Sequence, residues 1–206
     1  EVTTTMLDRY SLKILQPLLG SIAHYLRRRG IRADHITIGA FVAGLLGAVL
    51  IARHHYLLGG LLILLNRLGD GVDGTLARLA GSTDRGAFLD ICLDFIFYSA
   101  VVLGFAMAEP ARNSLAACFL IFSFVGTGSS FLAYAIMAER RSLTDQRLPD
   151  KGFYYLGGLA EGTETIIFFI LICLFPSLFP ALAWVFGSIC LLGTAVRIVY
   201  GYKTLD

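Results

Sequence analysis

Long apolar stretches dominate the chain and are separated by short polar or basic connections. Each stretch approaches the roughly 20 residues that a helix needs to cross about 30 Å of hydrocarbon. The stretches lie at residues 36–51, 56–79, 87–107, 114–138, 153–174 and 178–200. With 56% hydrophobic residues and a mean hydropathy of +0.72, the chain is far more apolar than an average soluble domain. We therefore predict an all-α, polytopic membrane protein with six transmembrane helices.

The segment that precedes the first apolar stretch is too polar to cross a bilayer. Apolar residues such as Leu7, Ile14 and Ile22 nevertheless recur there at helical spacing, opposite polar residues such as Asp8 and Lys13. This pattern is typical of an amphipathic helix that lies in the membrane interface. We predict such a helix over residues 6–32, followed by one six-helix transmembrane domain over residues 33–206.

The basic residues are distributed asymmetrically between the two sides of the predicted bundle. Twelve of the 17 lysines and arginines precede the first span or follow the second, fourth and sixth spans. The opposite connections contain only Arg53 and Arg112. Because cytoplasmic loops carry the excess of positive charge, we expect both termini on the cytoplasmic side.

The four cysteines all fall inside predicted spans and show no CxxC spacing. We expect them to be small, buried apolar residues without a disulfide or a metal cluster. They are Cys92, Cys118, Cys173 and Cys190.

Two of the apolar stretches carry aspartates, which are costly at membrane depth and usually face an internal site. Asp70 and Asp73 are three residues apart and Asp90 and Asp94 are four apart, so each pair shares one helix face. Counted outward from Thr83 in the connecting loop, Asp73 lies ten residues before it and Asp94 eleven after it. At about 1.5 Å of rise per residue these two reach matching depths in the cytoplasmic half. The two spans therefore predict a helical hairpin with a single acidic site.

Clustered carboxylates without histidine or cysteine favour Mg²⁺ or Mn²⁺ over zinc. Four carboxylates exceed the needs of one ion, so we expect two ions about 3.5 to 4 Å apart, an arrangement suited to in-line displacement at phosphorus. Arg78 lies close by in the sequence and could bind a phosphate. A divalent-cation channel or transporter is the alternative from a different class, although the charges cluster in the inner half alone.

Polar residues in other spans leave structural and functional interpretations open. Asp34 is well placed to cap the first span or to contact a ligand. The small and polar residues 126–130 could serve helix packing or line a cavity. Glu161 and Glu164 suggest an internal face of the fifth span, with Arg67 and Arg197 as candidate ion-pair partners.

The spacing of the acidic region resembles the signature of the CDP-alcohol phosphotransferase family, membrane enzymes of phospholipid synthesis. It reads Asp70-x2-Asp73-Gly74-x2-Ala77-Arg78-x7-Gly86-x3-Asp90-x3-Asp94. The gap of seven residues before the second glycine is one shorter than the usual form, which should alter the connecting loop more than the helix faces. The resemblance implies an enzyme that breaks the CDP pyrophosphate, transfers a substituted phosphate group to an alcohol and releases CMP.

The resemblance also implies roles for individual residues. The four aspartates would hold the metal, and Asp94 would also be the general base, although from the chemistry alone any of the four could accept a proton. Asp34 and Thr37 align with a family Pro-Asn-x-Ile/Leu-Thr element near the nucleotide, with Ala33 and Asp34 in place of Pro and Asn. The cytidine diphosphate would lie against Gly74, Ala77, Arg78 and Gly86.

The predicted donor is CDP-diacylglycerol and the predicted acceptor a small polar alcohol, in a bacterial inner membrane with a cytoplasmic active site. The alternatives are transfer from CDP-choline or CDP-ethanolamine to diacylglycerol, and an inactive family member that serves as a lipid-binding scaffold. We expect membrane lipid as a partner, no nucleic acid, and the homodimer common in the family. The candidate acceptor-binding residues are Arg140, Arg141, Arg147, Lys151, Glu161 and Glu164.

Overall fold

The computed structural model describes residues 17, 19–141 and 162–205. Every regular element in these residues is helical, which confirms the predicted all-α class. A short 3₁₀ turn, Pro176–Leu178, precedes the last helix. The helices are α1 (19–28), α2 (Ala33–Ala52), α3 (Tyr56–Ala80), α4 (Asp84–Ala108), α5 (Pro110–Arg140), α6 (Gly162–Leu174) and α7 (Phe179–Thr204).

Four of the described helical segments are long and apolar enough to cross a membrane. They are Ala33–Ala52, Asp84–Ala108, Pro110–Arg140 and Pro176–Thr204. Helix α3 has 25 residues, but residues 67–80 carry two arginines and two aspartates. Helix α6 is apolar but has 13 residues. The polytopic membrane fold is therefore confirmed, whereas the predicted count of six spans stays a prediction.

Helix α1 is the described part of the predicted interfacial segment. Leu19 and Ala23 are buried, whereas Tyr25 is exposed, so the helix has one covered and one open face. A Cβ atom on Gly71 of α3 would lie 3.1 Å from Leu19 Cδ1, which places α1 directly against α3. Residues 6–16 and 18 of the predicted amphipathic helix lie outside the described residues.

Helix α2 packs against both α3 and α4, while α3 and α4 make few close contacts with each other. Small residues permit this arrangement, as expected for helices in membranes. A Cβ atom on Gly104 of α4 would lie 2.6 Å from the Ala48 carbonyl oxygen of α2. The side-chain amide of buried Asn66 on α3 donates to the Ala40 carbonyl, at 3.0 Å. As predicted, α3 and α4 are consecutive helices joined by a short loop. However, α2 packs against both helices, and a small cavity lies among α2, α3 and α4.

Helices α5 and α7 also pack closely against each other. Buried Arg197 of α7 donates to the Thr127 carbonyl and to Ser130 Oγ of α5, each at 3.0 Å. The hydroxyl groups of Thr127 and Thr194 lie 3.1 Å apart. The polar residues 126–130 therefore serve helix packing, the first of the two interpretations.

Aromatic rings fill the interior beyond the aspartates, from the middle of α4 to its C-terminal end. Phe105 and Phe179 stack with ring centroids 4.8 Å apart, and the Phe97 and Phe169 rings meet edge-on at 6.2 Å. All four rings are almost completely buried. This packing fixes α4, α6 and α7 relative to one another.

The cysteines are all free, as predicted. Cys173 and Cys190 are buried, whereas Cys92 is half-buried and Cys118 is exposed. The expectation of four buried cysteines was therefore wrong for Cys118, because it lies on an outer face of α5. An apolar residue on such a face of a membrane helix needs no protein cover.

Candidate active site

Three carboxylates from two helices converge between α3 and α4. Asp70 lies on α3, and Asp90 and Asp94 lie one turn apart on α4. One oxygen from each of the three can be chosen so that all lie within 4.8 Å of one another. Like charges this close repel each other, so the group is suited to binding a cation between them.

Asp73 lines the same small cavity as the other three aspartates. It is only 5% exposed, and its Oδ2 atom is buried without a hydrogen-bond partner among the described residues. A buried carboxylate oxygen without a partner is costly, which makes it a candidate metal ligand. The four predicted aspartates are thus brought to one cavity, although the tight group contains Asp70 and not Asp73.

The cavity walls come from three helices. Helix α2 contributes Thr37, Ala40 and Phe41, and α4 contributes Leu93 beside its two aspartates. Asn66 of α3 completes the lining through the side chain that anchors it to α2. The donor set is therefore dominated by carboxylate oxygens, which suits a hard divalent cation such as Mg²⁺ or Mn²⁺.

Arg67 also belongs to the site. From the sequence it was predicted only as a possible ion-pair partner for the carboxylates of the fifth span. It lies one turn before Asp70 on α3, and its Nη1 donates to Asp70 Oδ2. A Cβ atom on Gly162 of α6 would lie 3.8 Å from Arg67 Nη2 and 3.6 Å from the Tyr98 hydroxyl. The three-residue spacing from Asp70 was the signal that could have identified this pair.

Asp34 lies near the loop between α3 and α4 and is not part of the cavity lining. Its carboxylate is 3.6 Å from Arg85, and a Cβ atom on Gly86 would lie 3.6 Å from Asp34 Oδ1. The expectation that Asp34 caps α2 was wrong. Helix α2 begins at Ala33, so Asp34 is in its first turn, and the backbone amide of Arg32 donates to His35 Nδ1 at 3.3 Å.

The connecting loop contains only residues 81–83. Gly81 has a φ of +94°, a conformation that favours glycine. Thr83 caps α4, its hydroxyl accepting a hydrogen bond from the Gly86 amide at 3.1 Å. This tight connection fixes the first turn of α4 and therefore the face on which Asp90 and Asp94 lie.

The remaining predicted nucleotide residues follow the acidic group along α3. Arg78 is exposed, and its Nη2 donates to Thr75 Oγ1 at 3.0 Å. A Cβ atom on Gly74 would lie 3.6 Å from Arg78 Nη1, so the guanidinium extends back along the helix toward Gly74. Ala77 is half-buried on the same stretch.

The candidate acceptor residues are only partly described. Arg140 and Arg141 are exposed at the end of α5, and Glu164 lies in the first turn of α6. These three residues are not part of the acidic cavity lining. Arg147, Lys151 and Glu161 lie outside the described residues.

The site is thus an acidic, oxygen-lined cavity inside a bundle of membrane helices. Comparison with known protein families identifies the class of protein to which such a site belongs. The CDP-alcohol phosphatidyltransferase family profile matches residues 31–198. The chain belongs to this family and is a phosphotransferase and an integral membrane protein. This membership favours catalysis over cation transport as the use of the acidic site.

Individual relatives agree with this assignment. The Inner membrane protein YnjF of Escherichia coli K12 is 48% identical over 200 residues, which are 97% of each chain. A phosphatidylinositol phosphate synthase of Streptomyces avermitilis is 36% identical over 104 residues, which are 50% of this chain and 43% of the relative.

A solved structure has the same fold at lower identity. The crystal structure of Mycobacterium tuberculosis phosphatidylinositol phosphate synthase with CDP-DAG bound has a TM-score of 0.67 at 22% identity and covers 90% of this chain and 94% of that one. A second structure of that protein, in complex with manganese and citrate, has a TM-score of 0.66, also at 22% identity, over 89% of this chain and 88% of that one.

Proposed function

We propose that the protein transfers a phosphatidyl group from CDP-diacylglycerol to a small polar alcohol and releases CMP. The observation that carries this proposal is the convergence of Asp70, Asp90 and Asp94 within 4.8 Å at a cavity that Asp73 also lines. Family membership supports the reaction class. The Mycobacterium tuberculosis structure with CDP-DAG bound supports the donor.

The four aspartates would hold a divalent cation, Mg²⁺ or Mn²⁺, and their number suggests two ions. Their oxygen chemistry fits such ions, as does the unpartnered Oδ2 of Asp73. When bound, the metal supplies positive charge that offsets the phosphate charge during displacement at phosphorus. The manganese complex of the Mycobacterium tuberculosis protein supports this choice of metal.

The nucleotide would lie over the cytoplasmic opening of the cavity. Arg78 would donate to a donor phosphate through its planar guanidinium, and the small side chains of Gly74, Ala77 and Gly86 would leave room beside it. Asp34 and Thr37 would contact the nucleotide from α2. Their positions support this, since Thr37 lines the cavity and Asp34 lies beside Gly86.

Asp94 would act as the general base. The acceptor hydroxyl oxygen attacks the phosphorus of the phosphatidyl group, its proton passes to the Asp94 carboxylate, and the bond to the CMP phosphate oxygen breaks. Asp94 lines the cavity beside Asp90, so a hydroxyl group that enters the cavity can reach it. General base catalysis by a positioned carboxylate contributes about 10²–10⁴-fold to a rate.

The acceptor would be a phosphorylated polyol such as an inositol phosphate. Arg140, Arg141, Arg147 and Lys151 would bind its phosphate, and Glu161 and Glu164 would accept from its hydroxyl groups. The names of the Streptomyces avermitilis and Mycobacterium tuberculosis relatives support this choice.

We further propose six membrane spans in an inner membrane, with α3 and the predicted fifth span added to the four described spanning segments. The active site would face the cytoplasm, on the side where the basic residues concentrate. The homodimer remains a prediction from the family resemblance.

The test is a product assay with purified, reconstituted protein and Mg²⁺. CDP-diacylglycerol would be offered with inositol phosphate, glycerol 3-phosphate, inositol, serine and glycerol in parallel, and CMP release measured. We expect release with inositol phosphate, and a raised KM for this acceptor in Arg141→Ala with the donor KM unchanged. Release of CMP only from CDP-choline or CDP-ethanolamine with diacylglycerol would contradict the proposal.

A further inference from the structure

Among the described residues, Arg67 is a cation bound directly to the acidic group. Its Nη1 donates to Asp70 Oδ2, and Asp70 shares the tight group with Asp90 and Asp94. Its side chain is 32% exposed and that of Asp70 is 23% exposed, so water screens the pair only partly.

Arg67 lies on the inner side of the group, farther from the loop between α3 and α4 than the aspartates of α3. It precedes Asp70 by three residues, which corresponds to about 4.5 Å along the helix. The first described residue of α6, Gly162, lies beside its guanidinium, and the Tyr98 hydroxyl lies beside the same glycine. Arg78 lies on the outer side, exposed and hydrogen-bonded to Thr75.

A guanidinium in this place has two electrostatic effects. It offsets part of the repulsion among carboxylates at membrane depth, which would otherwise destabilise the fold. It also has the same sign of charge as a divalent cation and occupies Oδ2, one of the two oxygens that Asp70 can offer to such a cation. The two effects oppose each other: the same pair stabilises the protein and weakens cation binding.

We propose that Arg67 is a counter-ion that competes with the metal. It holds Asp70 and supports the acidic group when no divalent cation is bound, and its charge sets the metal affinity of the site below what the carboxylates alone would give. Arg67 is therefore a positioning residue. This inference rests on the metal site of the proposed function.

The test compares Arg67→Gln with the charge-retaining Arg67→Lys in detergent-solubilised protein. In EDTA we expect Arg67→Gln to unfold about 5 °C below wild type, because the carboxylates lose their counter-ion. Mn²⁺ should restore most of this loss and should bind Arg67→Gln on the order of tenfold more tightly than wild type. Arg67→Lys should stay close to wild type in both measurements.

Arg197→Gln is the matched control, because Arg197 is also an arginine inside a membrane helix but is bound to Thr127 and Ser130 of α5. It should lower the unfolding temperature equally in EDTA and in Mn²⁺. Unchanged or weaker Mn²⁺ binding in Arg67→Gln, or instability that persists in Mn²⁺, would overturn the inference. If wild type itself bound no Mn²⁺, the metal site of the proposed function would fail instead.

Discussion

The acidic cavity and the α5–α7 contact both contain charged and polar side chains within apolar helices. The two regions differ in the partners that these side chains have. Around Arg197 at the α5–α7 contact, donors and acceptors are matched: Arg197 donates to Thr127 and Ser130, and Thr127 lies against Thr194. Farther along the same contact the buried hydroxyl groups of Tyr134 and Tyr200 have no partner among the described residues, but they carry no charge. In the cavity, carboxylates face one another, and Asp73 Oδ2 has no partner among the described residues.

The difference distinguishes a structural polar group from a functional one. Polar groups with complementary partners stabilise helix association, and the protein is complete without a ligand at that place. Carboxylates of like charge held together at membrane depth are costly until a cation binds. Substitutions in the first region should therefore change stability alone, whereas substitutions in the second should change activity and metal response.

The largest effect is expected for Asp94→Asn. The amide cannot accept the acceptor proton, so kcat should fall by about 10²–10⁴-fold. Stability in EDTA should be maintained or raised, because one of the mutually repelling charges is gone. Steady-state CMP release and thermal unfolding in EDTA measure the two quantities.

Asp84→Asn is the matched control, since Asp84 lies on the same helix but is exposed in its first turn. Its activity should stay within about twofold of wild type, as for most surface substitutions. Activity of Asp94→Asn within tenfold of wild type would remove Asp94 from the role of base.

Arg78→Lys tests the proposed contact between Arg78 and a donor phosphate. Lysine keeps the charge but loses the planar, two-pronged donor, and hydrogen bonds to charged groups contribute about 1.5–3 kcal/mol. We expect kcat/KM for CDP-diacylglycerol to fall about 10–100-fold, with no change in the unfolding temperature. Arg53→Lys is the control, because Arg53 lies at the C-terminal end of α2, away from Asp34 in the first turn of that helix. It should leave kcat/KM unchanged. An equal loss of kcat/KM in both variants would contradict a contact between Arg78 and a phosphate.

Gly104→Ala tests whether the cavity depends on the close approach of α2 and α4. Its Cβ atom would lie 2.6 Å from the backbone carbonyl of Ala48, so the helices must separate. Overpacking of this kind costs about 1–3 kcal/mol, and activity should fall with stability because α2 forms one cavity wall.

Gly39→Ala is its control, because nothing lies within 4 Å of the added atom. Thermal unfolding and CMP release of the two variants should be compared side by side. A Gly104→Ala protein as stable as wild type would show that the contact is compliant and that the cavity does not depend on it.

The sequence was sufficient to predict the helical membrane fold and the acidic site, because both follow from spacing along single helices. The spacing of Asp70, Asp73, Asp90 and Asp94 along their helices determines which faces they occupy. Counting residues from the loop matched Asp73 with Asp94, whereas the structure groups Asp70 with Asp94. Counting residues from the loop assumes that α3 and α4 lie side by side in direct contact. Because α2 packs against both helices, the residues of α3 and α4 that face each other differ from those that the count pairs.

Other features depend on contacts between distant segments and could not be predicted from local pattern. The anchoring of Asn66 to Ala40 and the place of Arg67 beside Gly162 of α6 require the packed structure. The exposure of Cys118 could not be inferred either, since hydropathy does not distinguish a lipid-facing residue from a buried one.

The smallest effect is expected for Thr194→Val at the α5–α7 contact. Valine keeps the shape but removes the hydroxyl, which donates to the Cys190 carbonyl at 2.9 Å and lies 3.1 Å from Thr127 Oγ1. Loss of such hydrogen bonds costs about 0.5–1.5 kcal/mol. The unfolding temperature should fall by about 2–5 °C, equally in EDTA and in Mn²⁺, with kcat unchanged.

Thr204→Val separates the contribution between helices from that within α7. Thr204 makes the same bond to its own helix, to the Tyr200 carbonyl at 2.9 Å. It should therefore lower the unfolding temperature less than Thr194→Val does. If Thr194→Val changed the Mn²⁺-dependent gain in stability, the two regions would be coupled and the distinction between a structural and a functional polar region would fail.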